Sequence, residues 1–167
     1  LRHYEPVGAV WEPAAGRGDI VKVLESHGYD GFASDIDISN CDVGECKEID
    51  FLSEDVIFDW LFGNDKVSII TNPPYSLAEK FIRHALELPH IVTCVFLLRS
   101  EFKHAKSRSD IFDNPWFSSE IVLTTRPRWD WWYMEKSKSA PRHNFSWFTW
   151  DKRRENYGPT MFFEGKK

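Results

Sequence analysis

The chain has 167 residues, enough for one domain with a substantial core. It is 42% hydrophobic and 28% charged, as ordinary globular domains are; no apolar run approaches the ~18 residues of a helical membrane span and no signal peptide is visible, so a cytoplasmic protein is expected. The net charge of −5 disfavours a polyanionic partner only until the chain is divided: residues 1–98 carry 7 Lys+Arg against 17 Asp+Glu, and residues 99–167 carry 14 against 9, an acidic half suited to a cofactor followed by a basic half suited to nucleic acid.

The chain opens at Leu1 rather than Met, which leads one to expect further residues upstream. Cys41, Cys46 and Cys94 cannot all pair with one another and match no zinc spacing, so reduced thiols and no metal are expected. No repeat, low-complexity run or interdomain linker interrupts the sequence, so residues 1–167 are read as a single domain.

Gly8-Ala9-Val10-Trp11-Glu12 reads as a short buried first strand, and Pro13-Ala14-Ala15-Gly16-Arg17-Gly18-Asp19 as a loop of small residues. Asp19 is the expected N-cap of a helix over 20–27 whose buried face is Ile20, Val23, Leu24 and His27, with Gly28 just past its end. Glycines here let the backbone approach a ligand. The loop lacks the Gly-Lys-Ser/Thr ending of a triphosphate cradle, and Val21 stands where a dinucleotide fingerprint has its third glycine. The segment Glu12-Pro13-Ala14-Ala15-Gly16-Arg17-Gly18 instead resembles the first motif of S-adenosylmethionine-dependent methyltransferases. That resemblance implies that Gly16 and Gly18 pass under the methionine part of the cofactor and that Glu12 helps orient it, beside Pro13 and Ala14.

Gly31–Ser34 reads as the second strand, ending at Asp35, with Asp37 two residues on. A carboxylate at this tip, about 20 residues beyond a glycine loop, accepts both hydrogen bonds of a ribose diol. Asp35 is the first choice and Asp37 the alternative. A third strand around Lys47-Glu48-Ile49 leads into Asp50-Phe51. In position and type this pair matches the residues that, in the same family, accept from the adenine amine of the cofactor and pack on its ring; Phe51 reads equally as a core residue. Ser53 is expected to cap a helix with Val56, Ile57, Trp60 and Leu61 on one face and Gly63 at its end.

Val67-Ser68-Ile69-Ile70-Thr71, β-branched at four of five positions, reads as a buried strand that two prolines stop. Ser76 with Glu79 suggests a capping box for the helix that follows, over 77–88. Between them stands Asn72-Pro73-Pro74-Tyr75, at the carboxyl end of a strand, where open α/β sheets bind ligands. The four residues resemble the Asn-Pro-Pro-Tyr motif of the S-adenosylmethionine-dependent amino-methyltransferases. The resemblance implies that the Asn72 amide oxygen and the Pro73 carbonyl hold the acceptor amine, that Pro73 and Pro74 stiffen the loop, and that Tyr75 stacks on the acceptor ring.

Ile91–Leu98 has the composition of a central strand, and further strands are expected at Glu120–Thr125 and Asn144–Trp150. Between the last two, Arg128, Trp129, Trp131 and His143 belong to a stretch in which aromatic and basic residues interleave, suited to stacking bases and following phosphates. The segment from Arg126 to Asp151 is similar to one in phage and prophage adenine methyltransferases that ends Trp-Phe-x-Trp-Asp. Trp147 and Trp150 read as core.

Taken as an ordered set, these motifs imply a seven-stranded Rossmann-like methyltransferase sheet, mostly parallel with a reversed last strand and helices on both faces. They imply S-adenosylmethionine as cofactor, S-adenosylhomocysteine as product and adenine N6 in DNA as acceptor. RNA adenine and a protein glutamine amide are the alternative acceptors, and a non-catalytic cofactor- or nucleic-acid-binding module is the alternative class. The resemblance departs from the family in lacking the helix that usually precedes the first strand.

Overall fold

The computed structural model describes residues 2–53, 66–127, 142–154 and 158–165. Eight strands, β1 (Ala9–Glu12), β2 (Gly31–Asp35), β3 (Cys46–Glu48), β4 (Val67–Thr71), β5 (Ile91–Arg99), β6 (Phe117–Leu123), β7 (Phe145–Asp151) and β8 (Thr160–Glu164), form one sheet in the order β3-β2-β1-β4-β5-β7-β6-β8. Every neighbouring pair is parallel except those made by β7, which runs against both β5 and β6. The helices are α1 (Asp19–Ser26), α2 (Ala78–Glu87) and the short α3 (Ser109–Phe112).

Side chains on a strand alternate between faces, and the two faces have different covers. Trp11, Ile69, Phe96, Leu98, Phe148 and Trp150 pack with Phe81, Ile82 and Ala85 of α2 and Ile111 of α3. Val10, Ile70 and Val95 point the other way, onto Leu24 of α1 and the amino-terminal Tyr4. Helices therefore do lie on both faces. Two tryptophans lock this packing through their indole N–H groups: Trp11 donates to Ser34 Oγ at 2.8 Å and Trp150 to the Ile111 carbonyl at 3.0 Å.

The sheet departs from the sequence expectation in its strand count and in its reversed strand. There are eight strands rather than seven, because Thr160–Glu164 pairs in parallel with β6 as an edge strand. The reversed strand, β7, is the next to last in the chain. β6 begins three residues earlier than expected, since Ser118 and Ser119 are buried although polar. Ser118 sits at a register shift, and its hydroxyl donates to the Thr149 carbonyl at 3.2 Å, which spares a buried hydroxyl its desolvation cost.

Two of the three expected caps are also corrected. Gly18, at φ 77°, is the N-cap of α1, and Asp19 is its first helical residue. Val21 and Leu24 are the buried residues of α1, whereas Val23 and His27 face solvent, so the face turned to the sheet is rotated from the one the periodicity suggested. At α2 the N-cap is Leu77, not Ser76; Pro74's carbonyl accepts from Leu77 N–H at 2.9 Å, and the Glu79 carboxylate goes to Arg83 and Arg108. The helix expected over 54–62 lies outside the described residues.

Candidate active site

Parallel neighbours β1 and β4, with β2 beyond β1, bring three loops to one edge of the sheet. β1 and β4 are adjacent, with Trp11 opposite Ile69, so Glu12 and Asn72 leave neighbouring strands on the same carboxyl side. β2 pairs with β1 on the other flank, Ala33 opposite Glu12, which sets Asp35 just beyond.

The loop after β1 is built around two glycines whose requirements differ. Gly18 has a left-handed backbone, and a Cβ there would lie 2.3 Å from Val43 Cγ1. Its bare Cα is thus a packing requirement. Gly16 is left-handed too, at φ 52°, but a Cβ there would meet nothing within 4 Å. The space above Gly16 is open, which is what a ligand approaching the backbone needs. Pro13 is buried and Ala14 packs against the core, fixing the start of the loop.

Asp35 and Asp37 have separate jobs. The Asp35 carboxylate accepts from Gly16 N–H at 2.8 Å and from Asp37 N–H at 3.1 Å, tying the glycine loop to the end of β2. A carboxylate has about four acceptor sites, so two backbone bonds leave capacity for two more. Asp37 accepts from Ser39 N–H at 2.9 Å, and Ser39's hydrogen bonds hold its carboxyl below its usual pKa. It is spent on a 3-10 turn over Ile38–Asn40. Between them Ile36 stands 67% exposed, an apolar side chain held in the open beside Asp35 that its sequence gave no reason to single out.

Glu12 is 2% exposed, and its Oε2 has no partner among the described residues. Burial pushes its carboxyl well above the usual range; Val21's backbone N–H opposes this, and the carboxylates of Asp19 and Asp35 add to it. Asp50 is exposed and accepts from Leu52 N–H at 2.9 Å, forming the turn after β3. Phe51 is in the core, with ring centroids 5.3 Å from Trp11, 4.8 Å from Phe81 and 5.0 Å from His84. At 1% exposed its ring is engaged by these neighbours, as the core reading of Phe51 expects.

At the end of β4, Thr71 Oγ1 and Asn72 Oδ1 are both buried without a partner among the described residues. Pro73 is buried and Pro74 exposed, and Tyr75 is 46% exposed. Burial raises the phenol pKa of Tyr75, and the positive charge of Arg99 pulls it back. Of the expected carboxyl-half residues, Arg128, Trp129 and Trp131 lie outside the described residues. His143 is exposed two residues before Phe145, the residue paired with Arg99 at the end of β5. Arg126 Nε donates to Asn144 Oδ1 at 2.9 Å, joining the two described flanks of 128–141. Arg99 and Phe145 were not singled out as site residues from sequence; a cation ending a largely apolar strand at its carboxyl tip was the available signal for Arg99.

No protein-family model and no curated protein sequence matches the chain. Its structure is similar to the 23S rRNA methyltransferase ErmE, at 18% identity and TM-score 0.60, covering 90% of this chain and 64% of that one. It is similar also to a Listeria monocytogenes protein assigned to the class I S-adenosylmethionine-dependent methyltransferases, at 13% identity and TM-score 0.56, over 95% of this chain and 58% of that one. A dimethyladenosine transferase from Plasmodium falciparum aligns at 15% identity and TM-score 0.53, over 86% of this chain and 55% of that one. The chain thus spans 55 to 64% of the length of these neighbours, and what it shares with them is the fold of S-adenosylmethionine-dependent methyltransferases.

Proposed function

We propose that the protein transfers a methyl group from S-adenosylmethionine to the exocyclic N6 of adenine in DNA. The observation that carries this reading is Asn72 Oδ1, a buried acceptor with no partner among the described residues at the carboxyl end of β4, three residues from a half-exposed tyrosine ring. Leaving a buried acceptor unmade costs about 1–3 kcal/mol, a cost that a donor brought by a ligand removes.

The residues present fit the cofactor. The open space over Gly16 would admit it, the unpartnered Glu12 Oε2 would serve its amino group, and Asp35 has acceptor capacity for a ribose diol. Ile36 offers an apolar wall for its adenine, and Asp50, which follows the Ile49 whose N–H donates to the Asp35 carbonyl, an acceptor for the ring amine. S-adenosylmethionine supplies the electrophilic methyl group and leaves as S-adenosylhomocysteine.

On the acceptor side, an amine conjugated to a purine is a poor nucleophile because its lone pair is delocalised. Asn72 Oδ1 and the Pro73 carbonyl both accept from such an NH₂ group, which favours a pyramidal nitrogen and stabilises the positive charge that develops on it. Two consecutive prolines hold both acceptors in place. Tyr75 stacks on the acceptor ring, which must be single-stranded or flipped out of a duplex to reach it. The product nitrogen sheds its proton to solvent, so no strong base is required.

The choice of DNA rests on the likeness of the Arg126–Asp151 stretch to phage adenine methyltransferases, and the basic residues of the carboxyl half disfavour an isolated protein acceptor. RNA adenine is the second reading, favoured by the likeness to ErmE, an rRNA methyltransferase, and to a dimethyladenosine transferase. Incubation with labelled cofactor and separate DNA, RNA and protein acceptors distinguishes them. Label in DNA is expected; label in RNA alone selects the second reading, and label in protein alone rejects both.

A further inference from the structure

Strands β5 and β7 converge on Tyr75. Arg99 ends β5 and Phe145 begins β7, and the antiparallel register sets them directly opposite each other. Opposite residues of such a pair project from the same face of the sheet. Arg99 Cζ lies over the Tyr75 ring, 5.0 Å from its centroid, and the Phe145 centroid is 6.1 Å away at an interplanar angle of 38°. Phe145 is buried and Arg99 exposed, so the apolar member is fixed by the core and the cation reaches in from solvent.

Arg99 differs from other arginines of the molecule. Arg83, Arg108 and Arg153 each hold a carboxylate, whereas among the described residues no carboxylate pairs with Arg99, whose partner is an aromatic face. Arg108 shows the alternative, with its guanidinium over Phe102 and an ion pair to Glu79 as well. Tyr75 follows two residues of fixed φ, but those prolines do not restrain its own side-chain torsions. Unrestrained, a half-exposed ring would visit several rotamers and lose them on each binding event.

We infer that Arg99 is a positioning residue for the proposed transfer: its guanidinium, working with Phe145, holds the Tyr75 ring so that the opposite face is presented to the acceptor. The inference rests on the proposed function for its consequence and on the ring geometry for its substance. A cation over an exposed aromatic face shifts a conformational population about two- to fivefold, and the kinetic effect is of that size.

The test places 3-fluorotyrosine at position 75 of the full chain and compares wild type, Arg99→Ala and Arg99→Lys by fluorine NMR and by kinetics. Arg99→Ala is expected to move the fluorine resonance and to raise the phenol pKa, because the guanidinium favours the phenolate; Arg99→Lys retains most of both. With adenine-containing single-stranded DNA, Arg99→Ala is expected to lower kcat/KM for the acceptor about two- to fivefold, leave KM for the cofactor unchanged and be rescued by Arg99→Lys. The slope of log affinity against log salt is expected to stay the same. A resonance and pKa that Arg99→Ala leaves unmoved would overturn the inference, as would a salt slope reduced by about one, which would make Arg99 a phosphate contact. The fluorine measurement needs no acceptor and no turnover. An inactive wild type with a responsive Tyr75 would therefore sink the functional reading and not the ring clamp.

Discussion

Strand β4 carries two hydroxyl residues three positions apart, and they mark opposite edges of one sheet. At the amino edge, Ser68 Oγ accepts from Val7 N–H and donates to Val7 O, both at 2.8 Å, and receives the Thr93 hydroxyl at 2.9 Å. Tyr4 completes the network through Thr93, and burial pushes its phenol up to about 12. At the carboxyl edge, Glu12 Oε2, Thr71 Oγ1 and Asn72 Oδ1 are also buried atoms, and they have no partner among the described residues. The difference is not one of polarity or depth. One edge is closed by the chain's own amino-terminal segment, and at the other these three buried polar atoms have no partner among the described residues.

The comparison can be broken most forcefully at Asn72. Asn72→Ala should lower methyl transfer by about 10²–10³-fold, since it removes a preorganised acceptor from the transition state, while cofactor affinity and unfolding free energy stay near wild type. Single-turnover rates, calorimetric titration with S-adenosylhomocysteine and urea unfolding on one preparation check all three.

The two glycines offer the next contrast. Gly18→Ala combines left-handed strain with a contact on Val43 and should cost about 2–4 kcal/mol of stability. Gly16→Ala bears the strain without the contact and should cost about 1–2 kcal/mol, yet it should weaken cofactor binding more than its stability loss suggests, because its methyl group intrudes on the open space. Equal losses of stability at the two sites, measured by urea unfolding, would erase the distinction.

At the amino edge, Ser68→Ala should destabilise by about 1–3 kcal/mol, because it strands the partners of a closed network, and should leave the turnover of folded protein unchanged. Asn72→Ala shows the reverse pattern, transfer lost and stability kept. The smallest effect is a pH dependence. Glu12 has its carboxyl raised in the folded state above the ordinary 4.5, so the folded protein binds its proton more tightly than the unfolded chain does. Its contribution is full below 4.5 and is lost as pH rises through the raised folded value. Urea unfolding of the ligand-free protein should therefore weaken with pH above 4.5, and Glu12→Gln should flatten that slope.

Much of this site was legible because it is written locally. The β-branched run at Val67–Thr71 is buried at every position and ends where the prolines begin, as its pattern implies. The glycine loop, Asp35 and Asn72 follow from short-range chemistry and from their order along the chain. What escaped depends on distant partners. β8 is five residues long, and Met161 and Phe163 stay exposed on it, so its strand character comes from pairing with β6 rather than from its own pattern. Ser76 and Glu79 spell a capping box, but Arg83 and Arg108 compete successfully for the Glu79 carboxylate. The support of Tyr75 by Arg99 and Phe145 joins three elements whose meeting only the antiparallel β5–β7 register reveals.

The central claim is that Asn72, at the carboxyl edge, holds the acceptor amine of a methyl transfer. Its most direct test is to methylate adenine-containing DNA with labelled S-adenosylmethionine, digest it to nucleosides and identify the labelled one. N6-methyldeoxyadenosine from the wild type and none from Asn72→Ala is the predicted result; a labelled ring carbon, or equal product from the variant, would contradict it.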